Sequence, residues 1–154
     1  MNFPEPENTE TVVTIKILGL LHAGVRIAPG TDDMLQAKYF YKDLLGLQFD
    51  EKRPIVKSIP GFWVNVRKDD PNLQIHLLGS EGISPAARSK KEDPTRAHIA
   101  FAVKDLEMTK TVLKARGINF WVYENLVGQG SDQVFFEDPF GNMIEFQQLD
   151  SESD

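Results

Sequence analysis

Residues 132–146 read DQVFFEDPFGNMIEF. Two short runs of apolar and aromatic residues, 133–136 and 142–147, flank Pro139-Phe140-Gly141, and such punctuation between two runs predicts strand, turn, strand. The second run carries an acidic residue, Glu145. Upstream, 118–123 reads as another strand. Ahead of it Asp105 can cap a helix bearing Met108, Val112 and Leu113 that ends at Gly117, and 97–103 reads as the strand that opens the unit.

The same order of elements occurs earlier in the chain. A β-branched run from residue 12 leads through Ile15, Ile17 and Leu21 to Val25 and Ile27, and it stops at Pro29-Gly30. Thr31, Asp32 or Asp33 can cap a helix whose apolar residues Leu35, Tyr39, Phe40 and Leu44 recur at helical spacing, with Gly46 as its end. Strand candidates follow at 47–51, 62–67 and 73–78, separated by Pro54, Pro60-Gly61 and Asp70-Pro71. The expected fold is therefore α+β, built from two βαβββ modules at 12–79 and 95–148. Residues 80–94, rich in Ser, Gly, Pro and charge, form the linker, and 1–11 and 149–154 are expected to be flexible ends.

All three histidines fall in strand-like runs of this scheme: His22 in LLHAGVRI, His76 in LQIHLLG and His98 in RAHIAFAV. His22 and His98 occupy the first strands of their modules, His76 and Glu145 the fourth. Three imidazoles and a carboxylate at equivalent places in two repeats are the makings of a metal site. Side chains alternate faces along a strand, so His22 shares a face with Gly24 and Arg26, His76 with Gln74 and Leu78, His98 with Ala100, and Glu145 with Met143 and Gln147.

Composition narrows the alternatives. The 154 residues are 41% hydrophobic with ten Phe, enough for a globular core. A net charge of −6 argues against nucleic acid as a partner, because phosphate neutralisation needs a clustered basic face. The densest basic stretch, RSKK at 88–91, is followed at once by Glu92 and Asp93 and reads as a solvated loop. Without cysteine there is no disulfide or thiolate chemistry, and any metal is held by nitrogen and oxygen. The acidic start MNFPEPENTET has neither the charge nor the apolar core of a signal peptide, and no apolar run is long enough to span a bilayer; the expected setting is cytoplasmic, away from membranes.

The module order, the LGL after the first helix, AHIAFAV, the RGI after the second helix and above all DQVFFEDPFGNMIEF resemble the vicinal oxygen chelate superfamily. That group includes glyoxalase I, methylmalonyl-CoA epimerase, extradiol dioxygenases, fosfomycin-resistance enzymes and bleomycin-binding proteins. The resemblance spans residues 15–148. It implies paired half-barrels whose first and fourth strands present His22, His76, His98 and Glu145 inward, as ligands of one divalent ion: zinc, nickel, cobalt, manganese or iron. It further implies a small-molecule substrate chelated through two adjacent oxygens, stabilisation of the enediolate formed on proton loss, and Glu145 as the catalytic base. A homodimer is implied as well.

The implied activity is that of a glyoxalase-like lyase or isomerase. One slot departs from the glyoxalase and epimerase pattern, since His76 stands where Glu or Gln is general. An extradiol dioxygenase, a fosfomycin-resistance-like thiol transferase and a non-catalytic small-molecule binding protein are the alternatives. Arg26, as a clamp for a substrate anion, and Trp63 and Gln74 are the candidate substrate contacts. Trp121 and Tyr123 read more readily as core, and the VGQGS loop at 127–131 as a flexible connection.

Overall fold

The computed structural model describes residues 14–56, 58–128 and 130–149. The first module comprises β1 (Ile17–Ile27), α1 (Thr31–Lys38) running on into a π-helical turn (Tyr39–Leu44), β2 (Gln48–Phe49), β3 (Gly61–Arg67) and β4 (Asp70–Gly79). The second comprises β5 (His98–Val103), α2 (Leu106–Ala115), β6 (Phe120–Glu124), β7 (Asp132–Glu137) and β8 (Met143–Gln148). Asp105 caps α2 as its sequence suggests, its Oδ1 accepting from the Met108 amide at 2.9 Å. No helix among the described residues is long and apolar enough to cross a membrane.

The strands join in one mixed sheet in the order β2-β3-β4-β1-β5-β8-β7-β6. Within each module the first and fourth strands pair in parallel, and the modules meet where β1 pairs antiparallel with β5. Alternation then sorts the side chains. Val25, Ile27, Val64 and Leu77 pack with Ala37 and Tyr41 of the first helical segment, while Val103, Val134 and Phe146 pack with Leu106 and Leu113 of α2. Each fully buried aliphatic or aromatic side chain in these clusters contributes about 1.5–3 kcal/mol by leaving water. Both helices therefore cover one face of the sheet, and the histidines and Glu145 fall on the other.

The first helix differs from the pattern expected of it. Leu35, Tyr39, Phe40 and Leu44 are 61%, 63%, 47% and 60% exposed, and Ala37 is the buried residue of α1. From Tyr39 the backbone bonds lengthen to five residues, as in Leu45 N–H to the Phe40 carbonyl at 3.0 Å. The wider turn advances each residue by less than an α-helical step, so a stripe read at 3.6 residues per turn slips out of phase with the sheet. Nor do Thr31, Asp32 or Asp33 occupy the cap position. Gly30 does, with its amide donating to Asp33 Oδ2 at 3.1 Å.

No helix or strand lies between Gly79 and His98. That segment is nevertheless anchored. Arg26 Nη2 lies 3.1 Å from Asp93 Oδ2, 2.9 Å from Thr95 Oγ1 and 3.4 Å from Ser80 Oγ, and it also bonds the Gly82 carbonyl. Asp93 is 2% exposed and takes further bonds from the Ser84 and Thr95 amides. The guanidinium expected to clamp a substrate is thus the tie between β1 and the linker, and it does not line the cavity described below. The 88–91 stretch is tied down too, rather than merely solvated: Arg88 sits 4.2 Å over the Tyr123 ring and bonds the Val122 carbonyl, and Lys91 Nζ is 3.5 Å from Glu137.

Arg26→Met leaves a buried carboxylate short of its cation. The expected loss is about 1–3 kcal/mol in urea denaturation with metal stoichiometry unchanged; unaltered stability with lost substrate binding would restore the clamp.

Candidate metal centre

Strand register brings the chemistry together. On β1, His22 lies opposite Gln74 of β4 and Ala100 of β5, and two residues on, Gly24 lies between His76 and His98. On the other side of the joint, Ala100, two residues beyond His98, lies opposite Glu145 of β8. Gly24 therefore stands to His76 as Ala100 stands to Glu145, which makes the four positions structurally equivalent. Gly24 has a second role: a Cβ there would fall 2.4 Å from His98 Cε1, so the ring takes its place only against glycine.

Three of the four side chains converge. His22 Nε2 is 3.2 Å from His98 Nε2 and 3.7 Å from Glu145 Oε2, and His98 Nε2 is 3.4 Å from Glu145 Oε1. All three residues are buried. His98 Nδ1 lies 2.6 Å from the Arg96 carbonyl, to which it donates, so its Nε2 is left for the cluster. The Gln147 amide donates to Glu145 Oε2.

His76 stays apart. Its Nε2 pairs with Gln74 Oε1 at 2.9 Å, and its ring is stacked between His22, at 3.7 Å and 17°, and Trp63, at 4.7 Å and 8°. With Nε2 donating to the carboxamide oxygen, the lone pair of the neutral ring is on Nδ1. His76, expected as the fourth ligand, is not among the three residues whose ligand atoms lie within 4.8 Å of one another, and its ring packs on the face of His22. Gln74, expected to touch substrate, lies on the cavity wall, but its Nε2 is held by Asp50 Oδ2 and Asn65 Oδ1, each at 2.9 Å, and its oxygen by His76. Trp63 lines the cavity.

Burial lowers the pKa of His22 to about 4 against the pull of Glu145, and burial with the adjacent His22 lowers that of His76 to about 2. On His98 burial acts the same way but is overruled by the hydrogen bond and charge of Glu145, and the pKa is raised. Burial would raise the pKa of Glu145, yet the two imidazoles and Gln147 hold it at about 2. Glu145 thus favours a proton on His98, while burial disfavours one on His22.

The same atoms suit a metal ion. First-row ions bond imidazole nitrogen and carboxylate oxygen at about 2.0–2.2 Å, and donors 3.2–3.7 Å apart are spaced for one ion at that reach. His22, His98 and Glu145 would hold it. Two imidazoles and one carboxylate leave further coordination positions open for substrate.

The cluster lines a cavity of about 360 Å³, walled also by Leu21, Val56, Ile59, Leu78 and Phe135. Arg53 and Gln133 stand on the same wall and have no counterpart among the residues singled out from sequence. Gln133 shares strand parity with Phe135 and was findable from that; Arg53 lies in an irregular loop with no periodic signal. Val127 and Ser131 of the VGQGS loop also reach the cavity. Trp121 and Tyr123 are core, packed on Phe135 and Met143.

Fold and site together define a paired-module protein with a metal-competent cavity at the joint. The family model of the Glyoxalase/Bleomycin resistance protein/Dioxygenase superfamily matches residues 24–146, and the chain belongs to that superfamily. It is 30% identical over 115 residues to Glyoxylase I 4 of Arabidopsis thaliana, a match covering 73% of this chain and 62% of that protein; the chain thus spans about three fifths of that relative. Among solved structures it resembles methylmalonyl-CoA epimerase from Mycobacterium tuberculosis (TM-score 0.64, 20% identity, 93% of this chain and 95% of that one). It also resembles the E323L mutant of homoprotocatechuate 2,3-dioxygenase from Brevibacterium fuscum (TM-score 0.63, 17% identity, 97% of this chain and 36% of that one).

Unfolded histidines take up protons near pH 6.5, whereas folded His22 and His76 refuse them until about 4 and about 2. Over that window the unfolded state binds more protons, so stability falls as pH drops. His98, with its raised pKa, loses its contribution as pH rises above 6.5, so near pH 7 one histidine opposes the trend that two set up. Glu145 weakens the fold only as pH falls below its ordinary 4.5 toward about 2. Chelator-treated protein is therefore expected to unfold at lower urea at pH 5 than at pH 7; equal midpoints would contradict this electrostatic picture.

Proposed function

We propose that this protein is a metal-dependent lyase or isomerase. It holds one divalent ion on His22, His98 and Glu145, and it binds a small substrate through two adjacent oxygens. The observation that carries the reading is the convergence of three buried donors on the cavity wall. Support also comes from the 30% identity to a relative named Glyoxylase I 4, and from a fold match that runs the length of an epimerase chain but about a third of a dioxygenase chain. Zinc, nickel, cobalt, manganese and iron all suit this donor set. When bound, the ion supplies Lewis-acid stabilisation of negative charge developing on the chelated oxygens.

The chain's own residues supply the proton chemistry. Among the described residues of the cavity wall Glu145 is the sole carboxylate, and it is the base in this reading. Its low pKa comes from the two imidazoles and Gln147, while its burial acts in the opposite direction. Away from those partners its carboxyl would lose the influences that lower its pKa. His98 is kept in the metal-binding tautomer by the Arg96 carbonyl, and His22 is buttressed by His76. Leu21, Val56, Ile59 and Phe135 exclude water from the site.

Pairing of two copies belongs to the same reading, supported by Leu35, Tyr39, Phe40 and Leu44, each at least 47% exposed on one helical segment. A second chemistry, ring-cleaving dioxygenation on ferrous iron, is favoured by one observation: the two-histidine, one-carboxylate set is the arrangement of non-haem iron oxygenases.

Metal-loaded protein is expected to turn over the glutathione hemithioacetal of methylglyoxal without oxygen, with Glu145→Gln slower by about 100-fold or more. Oxygen uptake with catechol and ferrous iron, and no hemithioacetal turnover, would move the assignment to the second chemistry. Turnover unchanged in Glu145→Gln would remove Glu145 as base.

A further inference from the structure

Three buried side-chain atoms lack a hydrogen-bond partner among the described residues: Arg53 Nε, Gln133 Oε1 and Trp121 Nε1. Protein interiors leave few such groups unmatched, because a buried donor or acceptor has given up water for nothing. Trp121 lies in the core away from the cavity, but Arg53 and Gln133 are both on the wall beside the metal cluster. One is a donor from the first module and the other an acceptor from the second.

Arg53 is the one Arg or Lys side chain on that wall among the described residues. Its Nη2 donates to the Ile59 carbonyl at 2.8 Å and its Nη1 lies 3.5 Å from the Pro54 carbonyl, which orient the guanidinium without neutralising it. Arg26, Arg88 and Arg96 each have a carboxylate within 4.0 Å, and Arg53 has none among the described residues. Burial pushes its pKa below the usual arginine value, yet an arginine side chain stays charged in a protein. A charged, oriented guanidinium with a buried and unpartnered Nε thus belongs to a residue of the cavity wall.

We propose that the substrate carries a carboxylate remote from its chelating oxygens and that Arg53 receives it, with Gln133 Oε1 accepting from a hydroxyl or amide of the same molecule. This rests on the metal-chelation reading above. The Nε–H with an Nη2 hydrogen makes the planar fork that matches a carboxylate in bidentate fashion. Arg53 brings a single positive charge, which one carboxylate neutralises. The remainder of the substrate meets Leu21, Val56, Ile59 and Leu78, so its body is apolar.

The test uses the full chain loaded with cobalt or nickel and titrated calorimetrically with succinic monohydroxamic acid and its methyl ester, then with the glutaric pair. Acid and ester offer the metal the same two adjacent oxygens and differ only in the distal charge. The expected result is acid binding about tenfold or more tighter than ester for one chain length. That ratio should fall to about one in Arg53→Gln and survive in part in Arg53→Lys, with ester affinity the same in all three proteins. Ester binding with no preference for the acid in the unmodified chain, or a preference that persists in Arg53→Gln, would overturn the role of Arg53 alone. Metal-loaded protein that binds neither compound would overturn the chelation reading and this proposal with it.

Discussion

The antiparallel pairing of β1 with β5 is the constraint on which everything else rests. It joins the modules, and its register sets Gly24 against His98 and His22 against Ala100. A slip by one residue would turn a whole strand over, sending His22 or His98 to the helix face and an aliphatic side chain into the cavity. The apolar clusters under the two helices oppose that slip, because partly buried Val25 and Ile27 on β1 and buried Val103 on β5 pack there in the observed register. The cluster of His22, His98 and Glu145 is therefore held by hydrophobic packing on the opposite side of the same strands.

Burial then sets how the cluster holds its protons. Isolated in a low-dielectric wall, a carboxylate is costly unless paired, and Glu145 is paired with His22, His98 and Gln147. Remove the protons and the same three donors present lone pairs to a common point. One arrangement thus serves as a satisfied polar cluster in the metal-free protein and as a ligand set when an ion is present. Around it, the chain from Asp50 through Gln74 to His76 shows supporting residues holding the ligands in orientation, as metal sites generally require.

Much of this was legible in the sequence, for identifiable reasons. Strand and turn chemistry marked both modules, period-two alternation gave each candidate ligand its face-mates on its own strand, and the family resemblance implied that His22, His98 and Glu145 share one face. Alternation says which face a residue takes, though, not which way its ring turns. His76 has the right face and slot, but stacking on Trp63 and a bond to Gln74 direct its nitrogen elsewhere. The first helix was misphased because a π-helical turn leaves no mark on a 3.6-residue pattern, and Arg26 was misread because its partner Asp93 lies 67 residues away. Arg53 was invisible for the same reason: only the fold brings an irregular loop to the cavity.

The central claim is a three-ligand site with His76 as its support. Metal affinity measured by competition with a chromophoric chelator in His98→Ala and His76→Ala tests it most directly. The account predicts that His98→Ala weakens binding of the ion by about 100-fold or more, while His76→Ala keeps one equivalent bound with an affinity within about tenfold of the unmodified chain. Equal loss of metal in both variants would contradict it and make His76 a fourth ligand.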